Sequence, residues 1–267
     1  MLAFANAKIN IGLNVTEKLP SGYHNIQTVF YPIKIHDVVE ITDATLISCT
    51  VAGIDIEGNP EDNLCYKAFR LLQKDYNFPS QQITLLKQIP IGAGLGGGSS
   101  DAAHLIKLVD QKFNLGLNVA EMEQYASKLG ADCAFFIQNK PVYAYGKGDQ
   151  FKPLNLDLSA YNIVLVKPEI HVSTAEAYAG MIPQANDENL PDLVKEPLES
   201  WKHHIKNDFE RMVFEKYPAI ADVKNRLYQA GAIYAAMSGS GSSVYGIFDK
   251  AISLPELEQE NKVYYNL

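Results

Sequence analysis

The sequence has few cysteines and no long apolar run, and each shortage excludes a class of protein. Its three cysteines, Cys49, Cys65 and Cys133, form no C-x-x-C pair, so neither a disulfide framework nor a zinc cluster is supported. No stretch reaches the ~18 consecutive apolar residues of a membrane span, and no basic segment precedes the apolar N-terminal residues. We therefore expect a cytoplasmic protein with reduced thiols and no membrane partner.

Basic residues are also in the minority. Lysine and arginine number 23 against 31 aspartates and glutamates, which gives a formal charge of −8. A broad basic surface is what nucleic-acid binding requires, so we expect no nucleic-acid partner, and any bound anion must be held locally. With 267 residues and about 150 residues per domain, the chain is expected to form one large domain or two intimately packed halves.

Hydrophobic periodicities of two and of 3.6 residues alternate along the chain, which predicts an α+β protein. The predicted strands are 2–15, 26–42, 82–90, 134–138, 142–146, 162–168, 232–237 and 244–248. The predicted helices are 63–76, 99–113, 119–129, 174–178, 209–216 and 220–230. We expect a surface loop at 183–197 and a division near residue 150, which gives domains 1–150 and 151–267.

Glycine is concentrated in one segment, PIGAGLGGGSSDAA at 90–103. Five of the seven residues from Gly92 to Gly98 are glycine, where average usage of about 7% predicts about half of one. Such a loop can adopt positive φ and bring backbone N–H groups against an anion, and a helix starting at Ser99 would add its own unpaired N–H groups. A tight strand-to-helix connection explains the serines but not five glycines, so the segment indicates a phosphate site.

Two common nucleotide-binding motifs fit this segment poorly. Gly92-x-Gly94-x-x-Gly97 matches the dinucleotide fingerprint, but that fold wants a strand ending in an acidic residue about 20 positions on. Here Asp110 falls within a predicted helix and a second helix follows. A Walker A loop needs Gly-Lys-Ser/Thr, whereas the chain has Gly98-Ser99-Ser100.

The segment instead resembles the P-x-G-x-G-L-G-x-x-S-S motif of the GHMP small-molecule kinases. Further segments that resemble this family are AKIN at 7–10, GYH at 22–24, GADCAFFI at 130–137 and MSGSGSSVYGIF at 237–248. The resemblance implies a GHMP kinase fold of two packed α/β subdomains, the N-terminal one similar to ribosomal protein S5, with the active site in the cleft between them. It implies ATP as phosphoryl donor and Mg²⁺ held mainly through phosphates and water, without a dedicated metal site. The protein would be a monomer or homodimer.

Because AKIN and GYH resemble one branch of this family, the resemblance further implies a substrate, a cytidine diphosphate-linked methylerythritol of the non-mevalonate route to isoprenoids. Its 2-hydroxyl would receive the phosphoryl group. The alternatives are a GHMP kinase for another small alcohol similar to mevalonate or homoserine, a GHMP-fold protein that binds ligand without turnover, and a dinucleotide-dependent oxidoreductase.

Two residues are candidates for catalysis. Asp132 lies among small residues after a predicted helix, where an aspartate can simply end a turn; the resemblance implies that it accepts the proton of the substrate hydroxyl. Lys8 and Asn10 project to the same face of a strand under a period of two. They could be exposed edge-strand residues, but the resemblance implies that Lys8 pairs with Asp132 and that Asn10 contacts substrate.

The remaining candidates would bind the two ligands. The resemblance assigns Tyr23 and His24 to the cytidine end and predicts that Tyr178 stacks on the base, although His24 could be a turn residue and Tyr178 a core aromatic in a helix that Ser173 and Glu176 cap. For the nucleotide, the resemblance implies the following residues: Asn63 and Leu64 at the adenine, and Pro90, Ile91, Gly92, Ala93, Gly94, Leu95, Gly96, Gly97, Gly98, Ser99 and Ser100 at the phosphates. Asn63 could equally be a helix cap, and residues 238–241 either close over the site or form an ordinary turn.

The chain departs from the family pattern at two places. Cys133-Ala134 replaces the usual Val-Pro beside Asp132, so we expect that aspartate to be held less tightly. Leu19-Pro20-Ser21 replaces the usual basic and acidic residues before Gly22, which leaves the contacts of that turn open.

Overall fold

The fold is that of a computed structural model, which describes residues 1–56, 58–184 and 189–267. The strands are β1 (Leu2–Lys18), β2 (His24–Asp43), β3 (Ser48–Gly53), β4 (Gln81–Lys87), β5 (Val142–Tyr145), β6 (Gln150–Pro153), β7 (Asn162–Pro168), β8 (Tyr234–Met237), β9 (Val244–Phe248) and β10 (Asn261–Tyr264). The helices are α1 (Leu64–Tyr76), α2 (Gly97–Phe113), α3 (Val119–Ser127), α4 (Phe135–Gln138), α5 (Thr174–Tyr178), α6 (Leu190–Leu193), α7 (Leu198–His204), α8 (Phe209–Lys216), α9 (Pro218–Gln229) and α10 (Pro255–Glu258). Among the residues described, none of these helices combines the length and apolarity that a bilayer crossing requires.

The described chain divides into two compact units, each made of three separate segments of the sequence. The first consists of Met1–Ala7, Ile35–Ile91 and Gly96–Lys140, and the second of Lys8–Lys34, Gly92–Leu95 and Pro141–Leu267. The long strands β1 and β2 each contribute residues to both units. The predicted division near residue 150 therefore differs from the division by contacts, and separate functional roles for 1–150 and 151–267 stay a prediction.

In the first unit, a β-α-β segment precedes the glycine-rich loop. β3 pairs with β4 in parallel, and β2 pairs with β4 in antiparallel register through Val38 and Leu86. The parallel pair needs a crossover connection, which α1 supplies. Alternate residues of β4 are buried, and this buried face carries Ile83, Leu85 and also Lys87. α1 and α2 pack on each other.

In the second unit, an antiparallel sheet in the order β10-β7-β9-β8 carries the core, and β5 pairs with β2 and β6. Strand β7 reads NIVLVKP and is buried over most of its length, as expected for a strand covered on both faces. α8 and α9 pack together, and their buried residues Phe209 and Leu227 join the same core as Met237. This sheet leads, through the turn between β8 and β9, into the small-residue segment 238–241.

The α+β class is confirmed, and α1, α5, β7 and β9 lie at their predicted residues. The strand predicted at 134–138 is wrong: Phe135–Gln138 is the helix α4, which ends at Asn139 in the left-handed region. Its apolar residues are buried, and a short buried apolar run does not distinguish strand from helix by periodicity. The predicted loop at 183–197 is also wrong in part, because α6 lies within it; its residues 185–188 are outside the described chain.

Several elements carried too weak a pattern to be predicted. They are β3, β6, β10, α7 and α10. The helix predicted from Ser99 begins two residues earlier at Gly97, and its N-cap is Gly96 in the left-handed conformation. The start of this helix therefore lies inside the glycine cluster.

Candidate active site

The loop from Pro90 to Ser100, called the glycine loop below, joins the end of β4 to the start of α2. Gly92, Gly94 and Gly96 have φ of 61°, 76° and 68°, values that L-residues rarely adopt. Ala93 and Leu95 between them are buried, at 2% and 1% exposure. The loop thus alternates apolar anchors with glycines that carry the unusual backbone.

Two of these glycines also lack space for a side chain. A Cβ on Gly94 would lie 1.9 Å from the carbonyl oxygen of Ser238, and one on Gly92 would lie 2.5 Å from the ring of His171. All four residues belong to the second unit. The glycines at 92 and 94 are therefore required by both backbone conformation and close packing.

The loop runs directly into the N-terminus of α2. Within the described chain, no side chain caps this helix, so its first-turn N–H groups remain open to an anion. Ser99 hydrogen-bonds the thiol of Cys133, whose pKa burial raises to about 11. Ser100 is fully buried, with Oγ 3.3 Å from Nδ1 of His104. A contact of either serine with phosphate stays a prediction.

Lys8 and Asn10 lie in a buried polar network of the second unit. Both are 3% exposed, so the alternative of an exposed edge-strand lysine is wrong. Lys8 Nζ donates to Asn10 Oδ1 at 2.5 Å and to the carbonyl oxygen of Gly94 at 3.2 Å, and it lies 4.6 Å from the ring centre of Phe30. Strand β1 therefore brings an ammonium group to the middle of the glycine loop.

Ser238 and Thr28 complete this network, and Thr28 was not anticipated from the sequence. Asn10 Nδ2 donates to Thr28 Oγ1 at 3.0 Å, and the backbone N–H of Asn10 donates to Ser238 Oγ at 3.2 Å. Ser238 Oγ in turn donates to the Gly94 carbonyl at 2.9 Å. Both are buried hydroxyls, and a polar residue at a buried strand position was the available signal for Thr28.

Asp132 lies in the first unit, in the turn that links α3 to α4. Backbone hydrogen bonds from Cys133 N to the Gly130 carbonyl and from Phe136 N to the Cys133 carbonyl, both 3.2 Å, bracket it. Its exposure is intermediate. The turn is consistent with the predicted location, while the pairing of Asp132 with Lys8 and a looser hold on Asp132 stay predictions.

The aromatic residues predicted at the substrate end occur together in the second unit. The rings of His24 and Tyr178 stack with centres 4.7 Å apart and planes at 21°, the separation of two rings in direct contact. Tyr178 also meets Phe209 edge-on at 4.8 Å, so it belongs to the core as well. Tyr23 is 63% exposed. Partial burial, and then Lys18, lower the pKa of His24, which favours the neutral imidazole.

Comparison with known proteins adds independent evidence. Residues 63–140 match the family described as "GHMP kinases N terminal domain", and residues 189–265 match "GHMP kinases C terminal". The chain is 49% identical over 264 residues to the 4-diphosphocytidyl-2-C-methyl-D-erythritol kinase of Bacteroides fragilis, covering 97% of this chain and 96% of the relative. It is 50% identical over 262 residues to the kinase of the same name from Cytophaga hutchinsonii, covering 98% and 96%. The chain belongs to this family of GHMP kinases.

Solved structures of GHMP kinases agree in fold. A crystal structure of 4-(cytidine 5'-diphospho)-2C-methyl-D-erythritol kinase superposes with a TM-score of 0.84 at 27% identity, covering 99% of this chain and 98% of that one. A homoserine kinase from Cytophaga hutchinsonii gives a TM-score of 0.69 at 17% identity, with coverage of 98% and 95%, which shows the shared fold alone. Membership of the GHMP kinases, and a second helix α3 after α2, exclude the dinucleotide-fold alternative.

The segment that matches the GHMP N-terminal model begins at Asn63, the N-cap of α1. Asn63 Oδ1 accepts from the backbone N–H of Cys65 at 2.9 Å, so the capping interpretation is correct. Leu64 follows it, and its Cδ1 lies 3.8 Å from where a Cβ on Gly98 would be. The Asn63-Leu64 pair thus lies beside the start of α2, and its contact with adenine stays a prediction.

The segment that matches the GHMP C-terminal model contains Asn207, which the sequence did not single out. Asn207 Nδ2 donates to the carbonyl oxygens of Met237 and Gly239, each at 2.8 Å, and its Oδ1 accepts from Phe209 N at 3.0 Å. This one buried amide therefore holds both the start of α8 and the small-residue segment that contacts Gly94.

Proposed function

We propose that this chain transfers a phosphoryl group from ATP to the 2-hydroxyl of 4-diphosphocytidyl-2-C-methyl-D-erythritol, producing the 2-phosphate and ADP. The proposal depends on one observation above all: relatives of that name are about half identical to this chain over almost its whole length. The reaction belongs to the non-mevalonate route to isoprenoid precursors. We expect the enzyme to act in the cytoplasm as a monomer or homodimer.

The glycine loop is the proposed site of the ATP phosphates. Its fit is supported by three positive-φ glycines and by the open N-terminus of α2, since backbone N–H groups and the helix dipole together favour an anion. Asn63 and Leu64 would contact the adenine. Mg²⁺, held mainly by phosphate oxygens and water, would supply neutralisation of the phosphate charge.

Asp132 and Lys8 are the proposed catalytic residues. Phosphoryl transfer to an alcohol proceeds through a loose transition state, so catalysis requires orientation of the hydroxyl and charge stabilisation more than a strong base. In this proposal the Asp132 carboxylate orients the hydroxyl and accepts its proton, and the Lys8 ammonium keeps that carboxylate ionised. The hydrogen bonds of Lys8 to Asn10 and to the Gly94 carbonyl would hold the ammonium in place.

His24, Tyr23 and Tyr178 are the proposed cytidine-binding residues, with Asn10 as a further substrate contact. Stacking is tolerant of the base, so the preference for cytosine must come from hydrogen bonds of His24. Because His24 and Tyr178 stack directly on each other, Tyr178 orients the imidazole whether or not it also contacts the base.

The test is an ADP-release assay with the cytidylylated methylerythritol, mevalonate and homoserine in parallel. We expect turnover with the first alone. Asp132→Asn should lower kcat on the order of 100-fold or more and leave the affinity for a non-hydrolysable ATP analogue unchanged. Asp110→Asn is the matched control, because the Asp110 carboxylate caps Leu117 N at 2.8 Å in the same unit; its kcat should stay within about threefold.

Other results would assign a different function. Phosphorylation of mevalonate or homoserine in preference to the cytidylylated substrate would make the chain a GHMP kinase for another alcohol. Binding of ATP and of the cytidylylated substrate without ADP release would indicate a non-catalytic member. A kcat for Asp132→Asn near that of the wild type would remove Asp132 from the reaction.

A further inference from the structure

A group of three buried charges lies in the first unit, outside the residues assigned above. Lys87 is the last residue of β4, Asp37 belongs to β2 and Asp101 to α2. Lys87 Nζ lies 2.6 Å from Asp101 Oδ2 and also forms an ion pair with Asp37 Oδ2. Each of the three side chains is at most 3% exposed. We call these residues the ion group.

General stability is a poor explanation for such a group. Removing charges from water is costly, and well-packed apolar residues of similar volume often stabilise a core as well or better. One acceptor, Asp101 Oδ1, is buried without a hydrogen-bond partner among the described residues. The burial of these charges is therefore better explained by where the ion group lies in the fold.

That location is the two ends of the glycine loop. Lys87 is three residues before Pro90, and Asp101 follows Ser100 directly, so the Lys87–Asp101 ion pair joins the residues that flank the loop. The second oxygen of Asp37 accepts from the backbone N–H groups of Gln88 and Ile89, at 2.5 and 2.8 Å. One buried group thus binds the exit of β4 and the first turns of α2.

The start of α2 also packs tightly on the exit of β4. A Cβ on Gly97 would lie 2.9 Å from Ile89 Cγ2 and 3.4 Å from Asp37 Oδ2. Such close contact transmits small displacements, because packed interiors have little free volume. A change in the separation of Lys87 and Asp101 would therefore move the first-turn N–H groups of α2.

We propose that Lys87 is a positioning residue for nucleotide binding: by binding Asp37 and Asp101 together, it sets the separation between β4 and α2 and so the shape of the anion-binding backbone between them. This inference depends on the proposed function in one respect, that the glycine loop binds the phosphates of ATP. Lys87 itself does not touch the nucleotide in this proposal. Its loss should weaken ATP binding selectively.

The first test is Lys87→Met, with kinetics measured for both substrates. Misplacement of binding groups by about 1 Å can cost up to about 100-fold, so we expect KM for ATP to rise at least about tenfold. KM for the alcohol substrate should stay within about twofold. A role in stability alone would instead lower apparent kcat with the folded fraction and leave KM for ATP unchanged. Lys87→Arg keeps a charged donor for both carboxylates and should restore part of the ATP affinity.

Lys112→Met is the matched control. Lys112 Nζ lies 2.8 Å from Asp43 Oδ1, so this ion pair also joins β2 to α2, but at the end of the helix away from the glycine loop. Its removal should leave KM for ATP within about twofold of the wild type. An equal rise in KM for ATP in both variants would overturn the assignment. Loss of an ion pair at either end of α2 would then weaken ATP binding to the same extent, and the position of Lys87 beside the glycine loop would not matter.

If Lys87→Met does not fold, Asp101→Asn tests the positioning role of the ion group instead. Burial, and after it Asp37, raise the pKa of Asp101 against the opposing effect of Lys87, so an amide removes an unfavourable charge while Lys87 and Asp37 stay paired. The thiols of Cys49 and Cys65 also face Asp101, and burial raises the pKa of both, so they add no charge. We expect a folded protein with KM for ATP raised several-fold.

Titration of the wild type with a non-hydrolysable ATP analogue separates the two proposals. A wild type that binds no analogue and releases no ADP contradicts the proposed function. The positioning role alone is overturned if the wild type is active and Lys87→Met keeps its KM for ATP within about twofold of the wild type. If Lys87→Met does not fold, the same result for Asp101→Asn overturns it.

Discussion

The middle of the glycine loop and the two residues just before it are held through opposite backbone groups, a carbonyl in the first case and N–H groups in the second. In the middle, Lys8 Nζ and Ser238 Oγ both donate to the carbonyl oxygen of Gly94. Between β4 and the loop, the Asp37 carboxylate accepts from the N–H groups of Gln88 and Ile89. Contacts to a carbonyl leave the neighbouring N–H available for an anion, whereas contacts to N–H groups consume them. Within the glycine loop the protein thus binds a carbonyl, and just before the loop it binds amides, an arrangement that suits the proposed anion site.

Replacement of Gly94 should have the largest effect. Gly94→Ala should lower affinity for an ATP analogue at least about tenfold and lower the melting temperature, because its Cβ would lie 1.9 Å from the Ser238 carbonyl at a φ of 76° and strain there costs about 1–3 kcal/mol. Calorimetry of binding and of unfolding measures both effects.

Gly98→Ala is the matched control for that change. Gly98 lies within α2, and the nearest atom to its Cβ would be Leu64 Cδ1 at 3.8 Å. Since helical glycine is about 0.5–1 kcal/mol less stable than alanine, this variant should melt at or above the wild-type temperature. Equal stability of the two variants would contradict the account of the loop.

At the helix end of the loop, His104 should make stability depend on pH. Burial, and then Lys107, lower the pKa of His104 to about 4, against about 6.5 in the unfolded chain. The neutral ring therefore stabilises the fold fully above about 6.5, and this contribution is lost as the pH falls towards 4. The interval corresponds to about 3 kcal/mol. His104→Gln should flatten the dependence of the free energy of unfolding on pH between 6.5 and 4, as measured by urea titration.

The same variant measured at pH 8 supplies the control, because the wild-type imidazole is neutral there. A variant that keeps the full wild-type slope below pH 6.5 would show that His104 is not the group responsible. Any loss at pH 8 measures packing and the contact of His104 Nδ1 with the Ser100 carbonyl, which lie 2.8 Å apart.

Loss of the Ser238 hydroxyl, which donates to the Gly94 carbonyl, should have the smallest effect. Ser238→Ala removes the donor to Gly94 and the acceptor of Asn10 N, and an unsatisfied buried group costs about 1–3 kcal/mol. KM for ATP should rise a few-fold. Ser243→Ala is the matched control, because Ser243 is equally buried and its Oγ has no partner in the described part of the chain. Equal effects of both changes would contradict a role for the Ser238 hydroxyl.

The elements that were predicted correctly have strong local patterns. Strand β7 is an uninterrupted apolar run, and α1 has a capping asparagine and an apolar side. Periodicity and capping act between neighbours in the sequence, so both were visible in the chain itself. The run Phe135–Ile137 was predicted wrongly because it is apolar throughout and buried. A continuous apolar run shows neither the helix nor the strand periodicity.

The candidate site divides in the same way. The glycine loop was identified from its composition, and Lys8 and Asn10 were placed on one face by a period of two. Ser173 was correctly predicted as a cap, since Ser173 Oγ accepts from Glu176 N at 3.1 Å; the Glu176 carboxylate, however, binds Lys216 and Tyr217. Lys216 lies 40 residues from Glu176 in the sequence, so no rule based on neighbouring residues could predict this contact.

The glycine loop could be located from the chain alone, because glycine density and the start of a helix are properties of consecutive residues. The groups that hold its backbone in place come from distant parts of the chain and are visible only in the folded protein. Ser238 is 144 residues from Gly94, and Asp37 is 50 residues from Lys87. Contacts at such separations follow from how the strands pair and the helices pack. The sequence does not distinguish Lys87 from an exposed lysine, because the two carboxylates that bind it come from other elements of the fold.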